Sequence, residues 1–347
     1  HGAENMKYRF QWNFPIFFSP HNPNKLYTTS NHFHVTTNEG QSWNVISPDL
    51  TRNESEKLGP SGGPITKDNT SVEYYGTIFA ACESPYEKDL LWAASDDGLI
   101  NVSKDGGDNW ENVTPSNAPD HIMWNSVEPD PFIKGGLYVA GTLYKTGDFK
   151  PYLYKTKDYG KTWIKITNGI PNNFFTRVLR ADPKRQGLLY SGTESGMFIS
   201  FDDGSSWNSF QLNLPLVPIT DLALKDDNLI ASTQGRSIWI IDDLGPIHQI
   251  NKEIENSNFH IFSPIDSYKM GSRGWGGESA SAGKNHHNGV EVFFNINKNI
   301  INDSSNISLE FLDKNKNLIK KYSNNDKKNL LKINGEKNSF IWNMRYN

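Results

Sequence analysis

The sequence predicts an all-β chain: a β-propeller of about five blades forming a partial ring, followed by a partial β-sandwich. Three observations predict it. One octapeptide pattern, Ser/Thr-x-Asp/Asn-x-Gly-x-x-Trp, occurs four times. Each copy sits at the same place in a longer unit of four short strands. From Val290 onward apolar and polar residues alternate without the motif.

The four octapeptides are TTNEGQSW (36–43), SKDGGDNW (103–110), TKDYGKTW (156–163) and SFDDGSSW (200–207), and their tryptophans lie 67, 53 and 44 residues apart. A fixed motif at variable spacing means one structural unit with loops of different length. The motif has the chemistry of a hairpin turn. An Asp or Asn side chain at the third position accepts from nearby backbone N–H groups. Gly at the fifth admits positive φ, and the Trp covers the turn with a large ring. Asn38, Asp105, Asp158 and Asp202 are therefore expected to be structural.

The unit around each octapeptide reads strand A, turn, B, loop, C, octapeptide, D. In the third unit A and B are Ser126–Pro131 and Gly136–Ala140, C is Tyr152–Lys155 and D is Trp163–Thr167. Four antiparallel strands per unit make a propeller blade. The first unit starts at Asn13–Phe18. A fifth, degenerate unit comprises 221–224, 228–231 and 237–241, with Asp242-Asp243 where the octapeptide would stand. A partial ring would expose sheet edges, so further blades of the same protein are expected before His1.

Composition narrows the function classes. The chain has 347 residues and a net charge of −4, which does not suggest nucleic-acid binding. Aromatics make up 12 %, too many for a disordered chain. No apolar run is long enough to span a membrane. The one cysteine, Cys82, lies in an apolar run and reads as a buried, inert thiol. No Ser-His-Asp, P-loop or Cys/His metal pattern occurs. His286-His287 would point to opposite faces of a strand and have no nearby partner ligands, so no metal and no cofactor is expected.

The propeller is assigned to residues 1–265 and a Gly-rich linker to 266–289. A partial sandwich follows at 290–347, with strands at 290–296, 307–312, 318–322 and 339–344.

The octapeptides are Asp-boxes. Together with Ser47–Arg52, Gly59–Thr70 and Gly235–Leu244 they resemble bacterial sortilin-type (BNR/Asp-box) repeat proteins, often labelled glycosyl hydrolases. The resemblance covers about residues 8–265, and the tail resembles the Ig-like module that follows the propeller in those proteins. It implies an exported protein, periplasmic or extracellular. It fixes no activity, because Asp-boxes occur in sialidases, xyloglucanases, sortilin receptors and photosystem-assembly factors alike.

Strand order locates the site. Asp-boxes and A–B turns share the bottom rim, so D–A connections and B–C loops converge on the top face over the channel. Beside the starts of strands A stand Trp12, Glu73, Tyr75, Trp124, Arg177 and Asp221. The B–C loops carry Asp96-Asp97, Thr142–Asp148, Glu194 and Arg236, and the first D–A loop adds Arg52 and Asp68. Aromatic platforms with carboxylates and arginines suit a polypeptide or a glycan. The expected binding residues are Trp12, Tyr75, Trp124, Arg177 and Arg236. The alternative is a xyloglucanase- or sialidase-like glycoside hydrolase, with Glu73 and Asp221 as its acid–base pair.

Overall fold

The structure is a computed structural model that describes residues 2–62, 65–68, 74–268, 287–301 and 305–345. It separates into two compact units, His1–Lys225 with Ile230–Ile240, and Asp226–Leu229 with Ile241–Asn347.

Four consecutive four-stranded antiparallel sheets follow the chain, each in simple up-and-down order. The first holds β1 (Ile16–Phe18), β2 (Leu26–Thr29), β3 (Phe33–Thr36) and β4 (Asn44–Val45). The second holds β5 (Ile78–Glu83), β6 (Leu91–Ser95), β7 (Ile100–Ser103) and β8 (Glu111–Asn112). The third holds β9 (Met123–Pro129), β10 (Leu137–Leu143), β11 (Asp148–Thr156) and β12 (Ile164–Lys165). The fourth holds β13 (Thr176–Ala181), β14 (Leu189–Thr193), β15 (Gly196–Ser200) and β16 (Asn208–Ser209). A fifth sheet has three strands, β17 (Ile219–Lys225), β18 (Asn228–Thr233) and β19 (Ile238–Ile241). These are propeller blades. Their fourth strands have two residues each, shorter than the apolar–polar alternation after each Trp suggests.

Every Asp-box forms the turn between the third and fourth strands of its sheet. At the third box, Asp158 Oδ1 accepts from the Thr156 hydroxyl at 2.8 Å and from Thr162 N–H at 2.9 Å, and Oδ2 accepts from the Thr162 hydroxyl at 2.6 Å. Asp105 and Asp202 make the equivalent bonds. Asn38 keeps the Oδ1 bonds to Thr36 and Ser42, but its Nδ2 donates to Ser42 Oγ where an aspartate would accept. The fourth position shares the positive φ of the fifth: Tyr159 has φ 62° and Gly160 φ 80°.

Blades are joined by the box tryptophans. Trp110 Nε1 donates to Ile46 O at 2.8 Å, Trp163 Nε1 to Val113 O at 2.7 Å and Trp207 Nε1 to Ile166 O at 2.6 Å. Each acceptor is the third residue after the Trp of the preceding box. Between these staples lie three apolar layers. One is formed by Tyr27, Phe33, Ile78 and Leu91 of blades one and two. The next contains Trp92, Ile100, Val127 and Val139 of blades two and three, and the last Ala140, Leu153, Leu179 and Leu189 of blades three and four.

In the second unit, β20 (Phe259–Ile261), β21 (Val290–Ile296) and β24 (Lys337–Trp342) form one antiparallel sheet, and β22 (Ser308–Leu312) pairs with β23 (Leu318–Ser323). They enclose a small core of Val292, Phe294, Ile296, Leu309 and Leu331. The pairing of β20 with β21 joins residues on either side of the Gly-rich stretch. Residues 269–286 of that stretch, including His286, lie outside the described residues.

Candidate functional site

The inner strands of blades two, three and four carry the same irregularity. Register shifts between Ile78 and Ala80, between Trp124 and Ser126, and between Thr176 and Val178 leave Phe79, Asn125 and Arg177 as bulged residues. A bulge re-aims one side chain out of the ladder, and here it does so at equivalent positions in three successive blades.

Beside these bulges lies a cleft of about 440 Å³ built from three blades. The approach to β1 supplies Gln11 and Trp12. Blade two supplies Tyr74, Tyr75, Phe79 and Asp96, and blade three supplies His121, Met123 and the segment Thr142–Thr146. These are the D–A connections, A-strand starts and B–C loops of the top face. Trp12 is 65 % exposed at the edge of the cleft. Arg9 anchors the segment that carries it: Nε donates to Gly76 O, and Nη2 to Asp49 Oδ2 and the Thr51 hydroxyl, each at 2.9 Å.

Among the described residues one carboxylate lines the cleft. Asp96 Oδ1 accepts from Gly76 N–H at 3.0 Å and Thr77 N–H at 2.8 Å, and Oδ2 accepts from the Thr77 hydroxyl at 3.0 Å. Burial pushes its pKa up to about 7 against those bonds, and neighbouring Asp97 adds to the rise. Asp97 is also raised by burial and receives the Arg52 backbone N–H at 2.8 Å. Burial raises the Tyr75 phenol, with Asp97 and Asp96 next in effect, so the hydroxyl stays protonated. His121 Nε2 lies 3.1 Å from Glu54 Oε2. Lys145, exposed on the blade-three loop, completes the polar part of the lining.

Next to the cleft, Tyr144 stacks on Phe175 with ring centroids 4.9 Å apart. The Arg177 guanidinium lies over both rings, at 5.9 Å and 5.2 Å, and pairs with Glu194 through Nε at 2.7 Å and Nη2 at 2.6 Å. Trp12 and Tyr75 thus meet in the cleft, and Arg177 adjoins it through Tyr144.

Three expected residues stand elsewhere. Trp124 is fully buried between blades, edge-on to Tyr154, and offers no ring to a ligand. The bulge that follows it presents Asn125 and turns the indole into the core. Arg236 is exposed on the β18–β19 loop and bonds Gly235 O. Asp221 binds Arg180 Nη2 at 2.8 Å. The same guanidinium lies 3.7 Å from Glu128 Oε2 and donates to Ser126 Oγ, Leu179 O and Leu222 O. Asp221 is thus joined to the inner strands of blades three and four, away from the cleft lining. Glu73, its expected partner, lies outside the described residues. Glu128 is pushed up to about 7 by burial, with Arg180 opposing.

Phe79, Met123, Glu128 and Arg180 were not singled out by the sequence. The bulges have no signature in one sequence, and Glu128 and Arg180 face inward only because of strand register.

No family model matches the chain, and no curated protein matches it. Among solved structures, the GH74 xyloglucanase from Xanthomonas campestris is similar at 16 % identity, covering 66 % of this chain and 36 % of that one, with a TM-score of 0.50. An ancestral GH74 enzyme is similar at 15 % identity over 93 % of this chain and 39 % of that one, TM-score 0.50. YCF48 from Cyanidioschyzon merolae is similar at 13 % identity over 63 % of this chain and 66 % of that one, TM-score 0.44. The chain thus matches little more than a third of the length of the GH74 enzymes. By fold it is a β-propeller resembling those of GH74 xyloglucanases.

Proposed function

We propose that this propeller is a binding platform, exported from the cytoplasm, whose top-face cleft takes an extended polypeptide or glycan segment. The observation that supports it is the lining. Trp12, Tyr75, Phe79, Met123, Leu143 and Tyr144 form an aromatic and apolar trough edged by polar groups such as Gln11, His121 and Lys145, the make-up of a recognition site. Rings of this kind stack on sugar faces or on apolar side chains. Two-carboxylate hydrolysis fits it less well. The one carboxylate in the described lining, Asp96, spends three hydrogen bonds on the backbone and hydroxyl beneath it. The exported location rests on the Asp-box resemblance.

The test is a screen of the purified chain on glycan and peptide arrays, with hits repeated on Trp12→Ala and Tyr144→Ala. Tenfold or greater loss of affinity in both variants is expected. Binding that ignores both substitutions, or steady turnover of a chromogenic glycoside, overturns the reading.

A further inference from the structure

Asp96 lines the aromatic cleft and is only 6 % exposed. Among the described residues no lysine, arginine or histidine pairs with it: what acts on it is burial, Asp97 and the bonds from Gly76 and Thr77. The other charged groups nearby are matched. Asp97 has Arg52 beside it, and Glu54 has Lys57 and His121. Lys145 is exposed at the edge. A buried carboxylate without a counter-charge is costly, so the cleft favours a ligand that brings a cation. The rings favour the same thing. Trp12, Tyr74, Tyr75, Phe79 and Tyr144 line the cleft, and an aromatic face attracts a positive charge.

The hydrogen bonds already made restrict which cation fits. A carboxylate presents about four acceptor places. Asp96 Oδ1 takes the Gly76 and Thr77 N–H groups, and Oδ2 takes the Thr77 hydroxyl. The remaining place is on Oδ2. A guanidinium binds a carboxylate best through two parallel N–H donors, and Oδ1 has no place for the second. A compact ammonium needs one acceptor only. Burial of Asp96 restricts the carrier. Lysine lays a long methylene stem along apolar surface and carries its charge beyond it. The ammonium of an amino sugar sits directly on the sugar ring and has no stem to reach with.

We infer that the cleft seats a lysine side chain of a bound polypeptide, its stem along the rings and its ammonium on Asp96 Oδ2. This rests on the reading of the cleft as a recognition site and narrows its ligand.

Labelled octapeptide pools test it, randomised except for a central lysine, arginine, norleucine or Nε-acetyllysine, each titrated into the purified chain at about pH 7.5. A glucosamine hexamer and cellohexaose are titrated alongside. The lysine pool should bind about tenfold tighter than the norleucine and acetyllysine pools, and tighter than the arginine pool. Asp96→Asn keeps an oxygen for the two N–H donors and removes the charge. It should erase the lysine advantage, with norleucine binding unchanged and the melting temperature no lower. Equal binding of the four pools, or a lysine advantage that survives in Asp96→Asn, overturns the inference and leaves the recognition site standing. Tighter binding of the glucosamine hexamer than of the lysine pool assigns the carboxylate to an amino glycan and also overturns it. Binding of no pool and of neither oligosaccharide removes the recognition site itself, and the inference with it.

Discussion

Arg180 holds Asp221 at 2.8 Å and lies 3.7 Å from Glu128, so one guanidinium ties the inner strands of three successive blades. Its Nε and Nη1 also bond Leu222 O, Ser126 Oγ and Leu179 O. The two carboxylates differ in burial: the Asp221 side chain is 62 % exposed, whereas Glu128 is largely enclosed. Removing Arg180 strands Glu128 and three acceptors. Arg180→Ala should therefore cost about 3–5 kcal/mol in urea unfolding. Asp221→Asn removes a solvated partner and should cost less than about 1 kcal/mol. Equal effects would contradict this division.

The Asp-box aspartates act on the turn and not on a ligand. Asp158→Ala deletes bonds to Thr156 and Thr162. A stability loss of about 1–3 kcal/mol is expected, with ligand affinity of the folded variant unchanged. Calorimetric unfolding and isothermal titration on the same sample check both halves.

Asp96 predicts a pH dependence with a definite sign. Its carboxyl binds a proton more tightly in the folded chain, at about 7, than at the ordinary 3.8. The stability it contributes is complete below 3.8 and lost as the pH rises through about 7. Asp96→Asn imitates the protonated form and does not titrate. From pH 4 to pH 8 the wild type should lose on the order of 4 kcal/mol relative to the variant. Paired denaturation curves across that range measure the difference, in which carboxylates distant from Asp96 cancel and the coupling to Asp97 is included. A difference that grows in favour of the wild type would reverse the assignment.

Trp12 and Trp124 should respond oppositely. Trp124→Ala empties a fully buried site in the layer between blades and should cost about 3–5 kcal/mol. Trp12→Ala removes a largely exposed ring and should leave the melting temperature within error. Its effect should appear in binding alone, at about 1–3 kcal/mol for a stacking residue in a recognition cleft.

The sequence by itself determined the blades. The Asp-box is a local device: Asp158, Gly160 and Trp163 lie within one octapeptide, and their hydrogen bonds and φ values need nothing distant. Strand alternation is equally local, so sheet order and box position followed from reading along the chain. The tertiary structure alone decided which side chains reach a common space. Trp12 and Trp124 both precede or begin an inner strand, yet one lies open and the other sealed. The difference comes from a bulge at Asn125 and from a neighbouring blade packed over Trp124. Asp221 drew Arg180 from 41 residues away, and Asp96 and Trp12 line one cleft because Arg9 and Gln11, on the approach to blade one, bond the Gly76 and Tyr74 carbonyls ahead of blade two. Such proximities depend on blade-to-blade register, which is set by apolar packing between sheets and has no period along the chain.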